Sequence, residues 1–301
     1  MLDSPPHPLS RSPVVSGYIY ALLAAVLWSF IGPFSKNCLA AGIEPIETAF
    51  WRAFFGGLCF MVQTAFCGGL RIPRRDAAVF FLFGGWSVGV LFGALQISIQ
   101  LSGAAMAMVL LYTAPAWVAV TSRVLFHEAI TRQKLIAICI ALGGTGLICF
   151  SGGSLPGEYS LLGIICGLLS GLAYASHFPF YTWWRSAYST GTIYTYMLLG
   201  GAAFLLPFAR FSPDKSLEAW GNLLALGVFT NYIAYVSLAL SLQRIRQIQA
   251  AVIGNIEPIL ATVWVWMFFG ESFNYYGWFG CGLVIGAVFL LTIERKTVPR
   301  L

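Results

Sequence analysis

The chain is 301 residues long, 58% hydrophobic and only 9% charged, with a formal net charge of +6. Charged residues make up about a quarter of a typical water-soluble globule, so this composition excludes one and describes a polytopic membrane protein. The basic balance does not mark a nucleic-acid partner either, because no patch of basic and aromatic residues lies on a soluble face.

Residues 1–15 form a short tail rich in Pro and Ser. Apolar runs of about 20 residues follow, each about 30 Å long as a helix and so able to cross the hydrocarbon of a bilayer. They predict helices over 17–36, 46–67, 77–98, 102–126, 133–151, 160–181, 191–210, 218–241, 247–269 and 275–294, ten in all. The runs are continuously apolar rather than alternating, which argues against strands. The first is too long for the core of a cleaved signal peptide. The spacer from Ser151 to Tyr159 is a turn containing Gly, Ser and Pro with no room for a soluble domain, and 295–301 form a second tail. Arg11, Arg71, Arg74, Arg75, Arg132, Lys134, Arg185, Arg244, Arg246, Arg295, Lys296 and Arg300 all fall on the side of the amino terminus, against Lys36, Arg210 and Lys215 on the other. Because basic loops stay in the cytoplasm, both tails are expected inside. The seven cysteines lie mostly in apolar runs with no C-x-x-C, so they suit packing rather than a disulfide frame or a metal site.

Two spacings repeat. Gln100, Tyr112, Pro115 and Glu128 recur 143 positions later as Gln243, Asn255, Pro258 and Glu271. Gly17, Trp28 and Pro33 recur 146 positions later as Gly163, Tyr174 and Pro179. Five crossings per copy make the copies enter the membrane from opposite sides, so the expected fold is an all-α protein of ten transmembrane helices in two inverted five-helix repeats, 16–151 and 160–294. Such repeats place a binding site near the bilayer midplane, at their interface. No G-x-x-x-x-G-K-[ST] is present, which leaves a primary pump without its nucleotide site.

Pro33, Pro115, Pro179 and Pro258 fall inside predicted helices, where each clashes with the carbonyl four residues earlier and removes a backbone donor. They are candidate hinges. Glu257 lies about ten residues into the ninth run, roughly 15 Å from its start, at the depth of the bilayer centre. Three roles fit it: holding a substrate ammonium, carrying a coupling proton, or acting as a neutral acid bonded to a carbonyl that a proline has freed. Asn255 adjoins it, while the repeat gives Ala114 at the matching place. His177, ahead of Pro179, suits a pH sensor, a donor to a substrate carboxylate, or a backbone-bonded ring. His7 and His127 lie too far off to complete a three-histidine metal site. Trp28, Tyr112, Trp117, Tyr174 and Tyr235 lie deep, where aromatic rings stack on a substrate or simply pack. Arg52 lies near the outer end of the second run and is expected to snorkel to the interface, with Glu44 and Glu47 at hand, in preference to the alternative of a substrate contact. Gln96, Gln100 and Gln243 sit at helix ends as rim candidates.

The ten-run count, the five-plus-five repeat, the segment from Gly17 to Pro33 and the paired Pro115…Glu128 and Pro258…Glu271 segments resemble the drug/metabolite transporter superfamily, in its EamA-type branch, over residues 17–294. The stretches Trp28-Ser-Phe-Ile-Gly-Pro-Phe-Ser-Lys36 and Leu111-Tyr-Thr-Ala-Pro115 are similar to bacterial aromatic amino-acid exporters of that branch. The resemblance implies a bacterial inner-membrane exporter whose central cavity is walled by helices one, three, four, six, eight and nine. It makes Trp28, Tyr112, Tyr174, His177, Asn255 and Glu257 candidate cavity residues. The expected function is therefore export of amino acids, aromatic ones preferred, by alternating access, with no cofactor and no metal. Efflux of cationic planar drugs is the alternative. An intramembrane enzyme is disfavoured, since His127-Glu128 is followed by no second histidine and no catalytic constellation is evident. The sequence is compatible with a monomer, although Gly282…Gly286 has a spacing that permits helix association.

Overall fold

The structure, a computed structural model, describes residues 11–102, 104–151, 160–269 and 274–292. Among these residues every regular element is a helix. Glu271, Arg295, Lys296 and Arg300 lie outside the described residues, as do both tails and the spacer from residue 152 to residue 159.

Seven helical runs are long and apolar enough to cross a membrane: Val14–Ala40, Pro45–Cys67, Arg74–Ser102, Met106–Phe126, Leu161–Trp184, Thr190–Phe208 and Leu217–Leu242. They occupy the first to fourth and sixth to eighth predicted positions. Three further apolar rods occupy the fifth, ninth and tenth. These are α8 (Arg132–Ser151), the pair α14 (Gln247–Gly254) and α15 (Glu257–Phe269), and α16 (Tyr275–Thr292). Large apolar side chains such as Phe66, Leu82, Leu161 and Leu217 point outward and exposed, as rods surrounded by lipid require.

Four rods are broken, each within one turn before an internal proline. α1 (Arg11–Ser29) gives way to α2 (Ile31–Ala40) ahead of Pro33, and α6 (Ala104–Leu111) to α7 (Ala114–Phe126) ahead of Pro115. α9 (Leu161–Ala175) gives way to α10 (His177–Trp184) ahead of Pro179, and α14 to α15 at Asn255 and Ile256, ahead of Pro258. The cause is the missing N–H and the ring clash of proline, which leave the preceding turn without its regular ladder. At three breaks a hydroxyl takes a carbonyl one turn back. Ser29 Oγ donates to Val26 O at 2.6 Å, Thr113 Oγ1 to Leu110 O at 2.6 Å and Ser176 Oγ to Ala173 O at 2.6 Å. At the fourth break Ile256 occupies the place of Thr113, so no hydroxyl is available there.

The third and eighth rods carry a different irregularity. α4 (Arg74–Gly84) joins α5 (Leu91–Ser102) through a π-helical segment, Gly85–Val90, and α12 (Leu217–Ala225) joins α13 (Ala234–Leu242) through another, Leu226–Ile233. Val90 and Ile233, where the two segments end, are 143 positions apart, the same offset as Tyr112 and Asn255. The π geometry adds a residue per turn and turns side chains out of the regular register, which is why such segments gather at functional sites.

The remaining rods are α3 (Pro45–Cys67) and α11 (Thr190–Leu205). Rods from the two halves pack in matched pairs: α3 on α11, α8 on α16, α5 on α9, α1 on α13 and α7 on α14. Glycine lets α8 and α16 approach backbone to backbone. A Cβ on Gly144 of α8 would lie 2.7 Å from Gly280 O of α16, and one on Gly280 only 2.5 Å from Gly144 O. Gly282 and Gly286 have open space instead and take no part in packing within the chain.

Candidate functional site

The broken rods meet in one region. Trp28, the last residue but one of α1, is buried and packs edge-on against Tyr174 of α9 (ring centroids 6.1 Å apart) and Tyr235 of α13 (5.8 Å). His177 opens α10 with its ring stacked on Tyr235 at 5.5 Å. Its Nδ1 donates to Tyr174 O at 3.1 Å, which leaves Nε2 to accept from the Tyr235 hydroxyl 3.4 Å away. Both ring nitrogens of His177 are thus engaged, one of them by the backbone. Tyr194 of α11 extends the aromatic wall, 4.8 Å from Tyr235.

Tyr112 and Asn255 occupy matching turns, between α6 and α7 and between α14 and α15, and both are buried. Asn255 Nδ2 is a buried donor with no partner among the described residues. Such a group costs about 1–3 kcal/mol unless something meets it. Glu257 is the first residue of α15, and its carboxylate accepts a hydrogen bond from the Tyr112 hydroxyl across the interface of the halves. Glu257 and Tyr174 are only half-buried. A Cβ added at Gly254, just before the break, would meet only the Tyr174 hydroxyl, at 4.0 Å. Space therefore remains between Gly254, three residues before Glu257, and the Tyr174 hydroxyl. The six expected residues Trp28, Tyr112, Tyr174, His177, Asn255 and Glu257 all border or adjoin this region, and Pro33, Pro115, Pro179 and Pro258 flank it.

Arg52 does not snorkel: it is buried, 8% exposed, and its Nε donates to Asn231 Oδ1 at 2.9 Å. Asn231 Nδ2 returns a bond to Arg52 O at 3.0 Å. The partner lies 179 residues away, in the second π segment, and no periodicity in the sequence announces it. Glu47, expected as an anchor for Arg52, instead pairs with Lys215 at 2.6 Å and accepts from Ser212 and Trp51. The first π segment also reaches the site, since Trp86 Nε1 donates to Ser176 Oγ at 3.1 Å, at the break between α9 and α10.

One end of the interface is closed by side chains from both halves. Ser122 Oγ of α7 donates to Gln247 Oε1 of α14 at 3.3 Å, and Gln243 Nε2 donates to the Tyr181 hydroxyl of α10 at 3.0 Å. Arg185 Nη1 donates to Leu242 O, and Gln249 Nε2 to the Tyr18 hydroxyl at 2.9 Å. Gln243, a rim candidate, is therefore part of this closure, whereas Gln100 is exposed. At this same end, Asp76 in the first turn of α4 accepts from Tyr188, which lies between α10 and α11, and this raises the phenol above its ordinary pKa.

The family model of the EamA-like transporter family matches residues 15–150 and again 161–293. An uncharacterized transporter of Archaeoglobus fulgidus is 28% identical over 270 residues, covering 89% of this chain and 93% of its own. The uncharacterized transporter YdfC of Bacillus subtilis is 26% identical, covering 87% of this chain and 86% of its own. A crystal structure of a protein 18% identical in sequence superposes with a TM-score of 0.78 over 94% of this chain and 97% of that one, a likeness of fold.

Proposed function

The chain belongs to the EamA-like transporter family of membrane transporters, and we propose that it exports amino acids, aromatic ones preferred, from the cytoplasm of a bacterium across the inner membrane. The observation that carries this reading is the half-buried Glu257 carboxylate, held by Tyr112 of the other half and within electrostatic reach of Tyr174 and Tyr235, on both of which Trp28 packs. A carboxylate at the depth of the bilayer centre is stable only in polar or ligand-filled surroundings, and beside aromatic faces it suits an ammonium group attached to a planar side chain. Arg52 brings a positive charge near the same carboxylate. That charge disfavours a purely cationic drug, which it would repel.

In this reading ten rods cross the membrane as two inverted repeats, 16–151 and 160–294, with the basic loops and both tails in the cytoplasm. The closure by Ser122, Gln247, Gln243, Tyr181 and Arg185 then lies on the cytoplasmic side, so the conformation is one shut toward the cytoplasm. Pro33, Pro115, Pro179 and Pro258 act as the hinges about which the halves rock. The test is flux of radiolabelled L-phenylalanine in proteoliposomes, with unlabelled aromatic and aliphatic amino acids and a quaternary ammonium dye as competitors. Saturable flux inhibited by aromatic amino acids is the expected result. Flux of none of the amino acids, or competition by the dye alone, overturns the substrate assignment.

A further inference from the structure

Arg52 is buried in α3, yet only its Nε has a side-chain hydrogen bond among the described residues. The ion pairs found among those residues are Lys134–Glu128 and Lys215–Glu47; neither Arg52 nor Glu257 belongs to one. A guanidinium presents five N–H donors in a planar fork, and the outer edge of this one is left free to receive a carboxylate through two parallel bonds. Its position is set firmly. Asn231 holds both its Nε and its backbone carbonyl, and a Cβ on Gly56 would lie 2.6 Å from Asn231 Cβ, so glycine there permits the close approach of α3 to the π segment. The Phe92 ring lies 5.6 Å from the guanidinium carbon. Asn231, which holds Arg52, precedes Tyr235 by four residues in the same rod, and Tyr235 packs on Trp28, which also packs on Tyr174. Arg52 and Glu257, from different halves, thus both approach this aromatic cluster, and no ion pair among the described residues joins them. A buried guanidinium lacking a counter-ion is strongly destabilised, and a ligand carrying its own carboxylate removes that penalty.

We propose that Arg52, held in place by Asn231, binds the carboxylate of the substrate while Glu257 binds its ammonium group, so that the site selects zwitterions. This rests on the amino-acid reading above and adds to it a carboxylate-binding residue. His177, whose two ring nitrogens are engaged within the protein, does not supply that contact. An α-amino acid carries both charges on one small group, which fits charges presented from opposite walls. Its side chain is left to the rings of Trp28 and Tyr235.

The experiment measures equilibrium binding to the purified full chain in nanodiscs. Its three probes are L-phenylalanine, phenethylamine, which lacks the carboxylate, and 3-phenylpropionate, which lacks the ammonium. In Arg52→Gln the affinity for L-phenylalanine is expected to fall by about 10- to 100-fold, the size of a lost charge-assisted contact, while that for phenethylamine is not weakened. Arg52→Lys keeps the charge and loses the fork, and should fall between. Asn231→Ser, which leaves Arg52 in the chain but loosens it, should produce a smaller loss of the same selectivity and serves if Arg52→Gln fails to fold as judged by melting. Equal loss for L-phenylalanine and phenethylamine, or no loss for either, overturns the role of Arg52 while leaving amino-acid transport standing. Failure of the wild-type chain to bind L-phenylalanine overturns both.

Discussion

Gly171 offers a severe test of how the broken rods are held. It lies in α9 against the turn between α6 and α7, and a Cβ there would sit 2.7 Å from Leu110 O, 2.9 Å from Thr113 Oγ1 and 3.2 Å from Leu111 O. Leu111 O is the carbonyl with which the ring of Pro115 clashes in a regular helix, and the Thr113 hydroxyl is already committed to Leu110 O. Neither backbone nor hydroxyl can swing aside cheaply. Restoring an ordinary contact of about 3.5 Å requires α9 and the turn to separate by about 0.8 Å. Overpacking of this kind costs about 1–3 kcal/mol, against a helix-propensity gain for Gly→Ala of at most about 1 kcal/mol. Gly171→Ala should therefore lower stability by up to about 2 kcal/mol and slow transport, because the turn it displaces carries Tyr112. Gly143→Ala in α8 is the control, since a Cβ there meets nothing within 4 Å. The assay is thermal unfolding of both variants and the wild type in one detergent at one protein concentration, with L-phenylalanine flux from the same preparations. If Gly171→Ala melts at or above Gly143→Ala, the close approach of α9 to the break is wrong.

Glu257→Gln keeps the shape of the side chain but removes its charge. Because protonation of Glu257 also removes the partner of the ammonium, wild-type L-phenylalanine flux should fall as pH is lowered; the variant should be slower by at least about tenfold and flat with pH. An unchanged rate and pH profile would dismiss Glu257 from the site. Replacing Glu47 by Gln should destabilise the protein by about 1–3 kcal/mol, because the Lys215 ammonium keeps only Ser212 O and the Trp220 ring among the described residues; Glu47→Leu combined with Lys215→Met should recover most of that loss in thermal melts. Cysteines at 122 and 247, in a chain whose own cysteines are replaced, should bridge with a short bifunctional thiol reagent and arrest flux. Flux that continues after complete cross-linking would show that this end need not open.

The sequence made the breaks legible because a proline inside an apolar run acts locally, on the four residues before it. The spacing of 143 carried Tyr112 onto Asn255, and the structure has both in turns, within runs that the sequence presents as continuous helices. Glu257 stood out for the same local reason, a charge in the middle of an apolar run. Arg52 was misjudged because distance from the end of a run says how far a side chain could reach and nothing about what it meets. Its anchor is an asparagine on another rod, and asparagine in an apolar run has no sequence signature of its own. Glu47 was misassigned alongside it, since Lys215 lies in a connection whose path cannot be read from composition. The π segments were invisible too, as one extra residue in a turn leaves the apolar pattern almost unchanged.

The π segments end at Val90 and Ile233, in the register that also aligns the two turns at Tyr112 and Asn255. Each half also matches the family model by itself, so the two ends of one register mark two copies of a common plan. The copies are no longer alike: Ala114 stands where the second half has Glu257, and α11 carries no charged residue to match the Arg52 of α3. A backbone plan shared by both halves thus carries charges that each half holds alone.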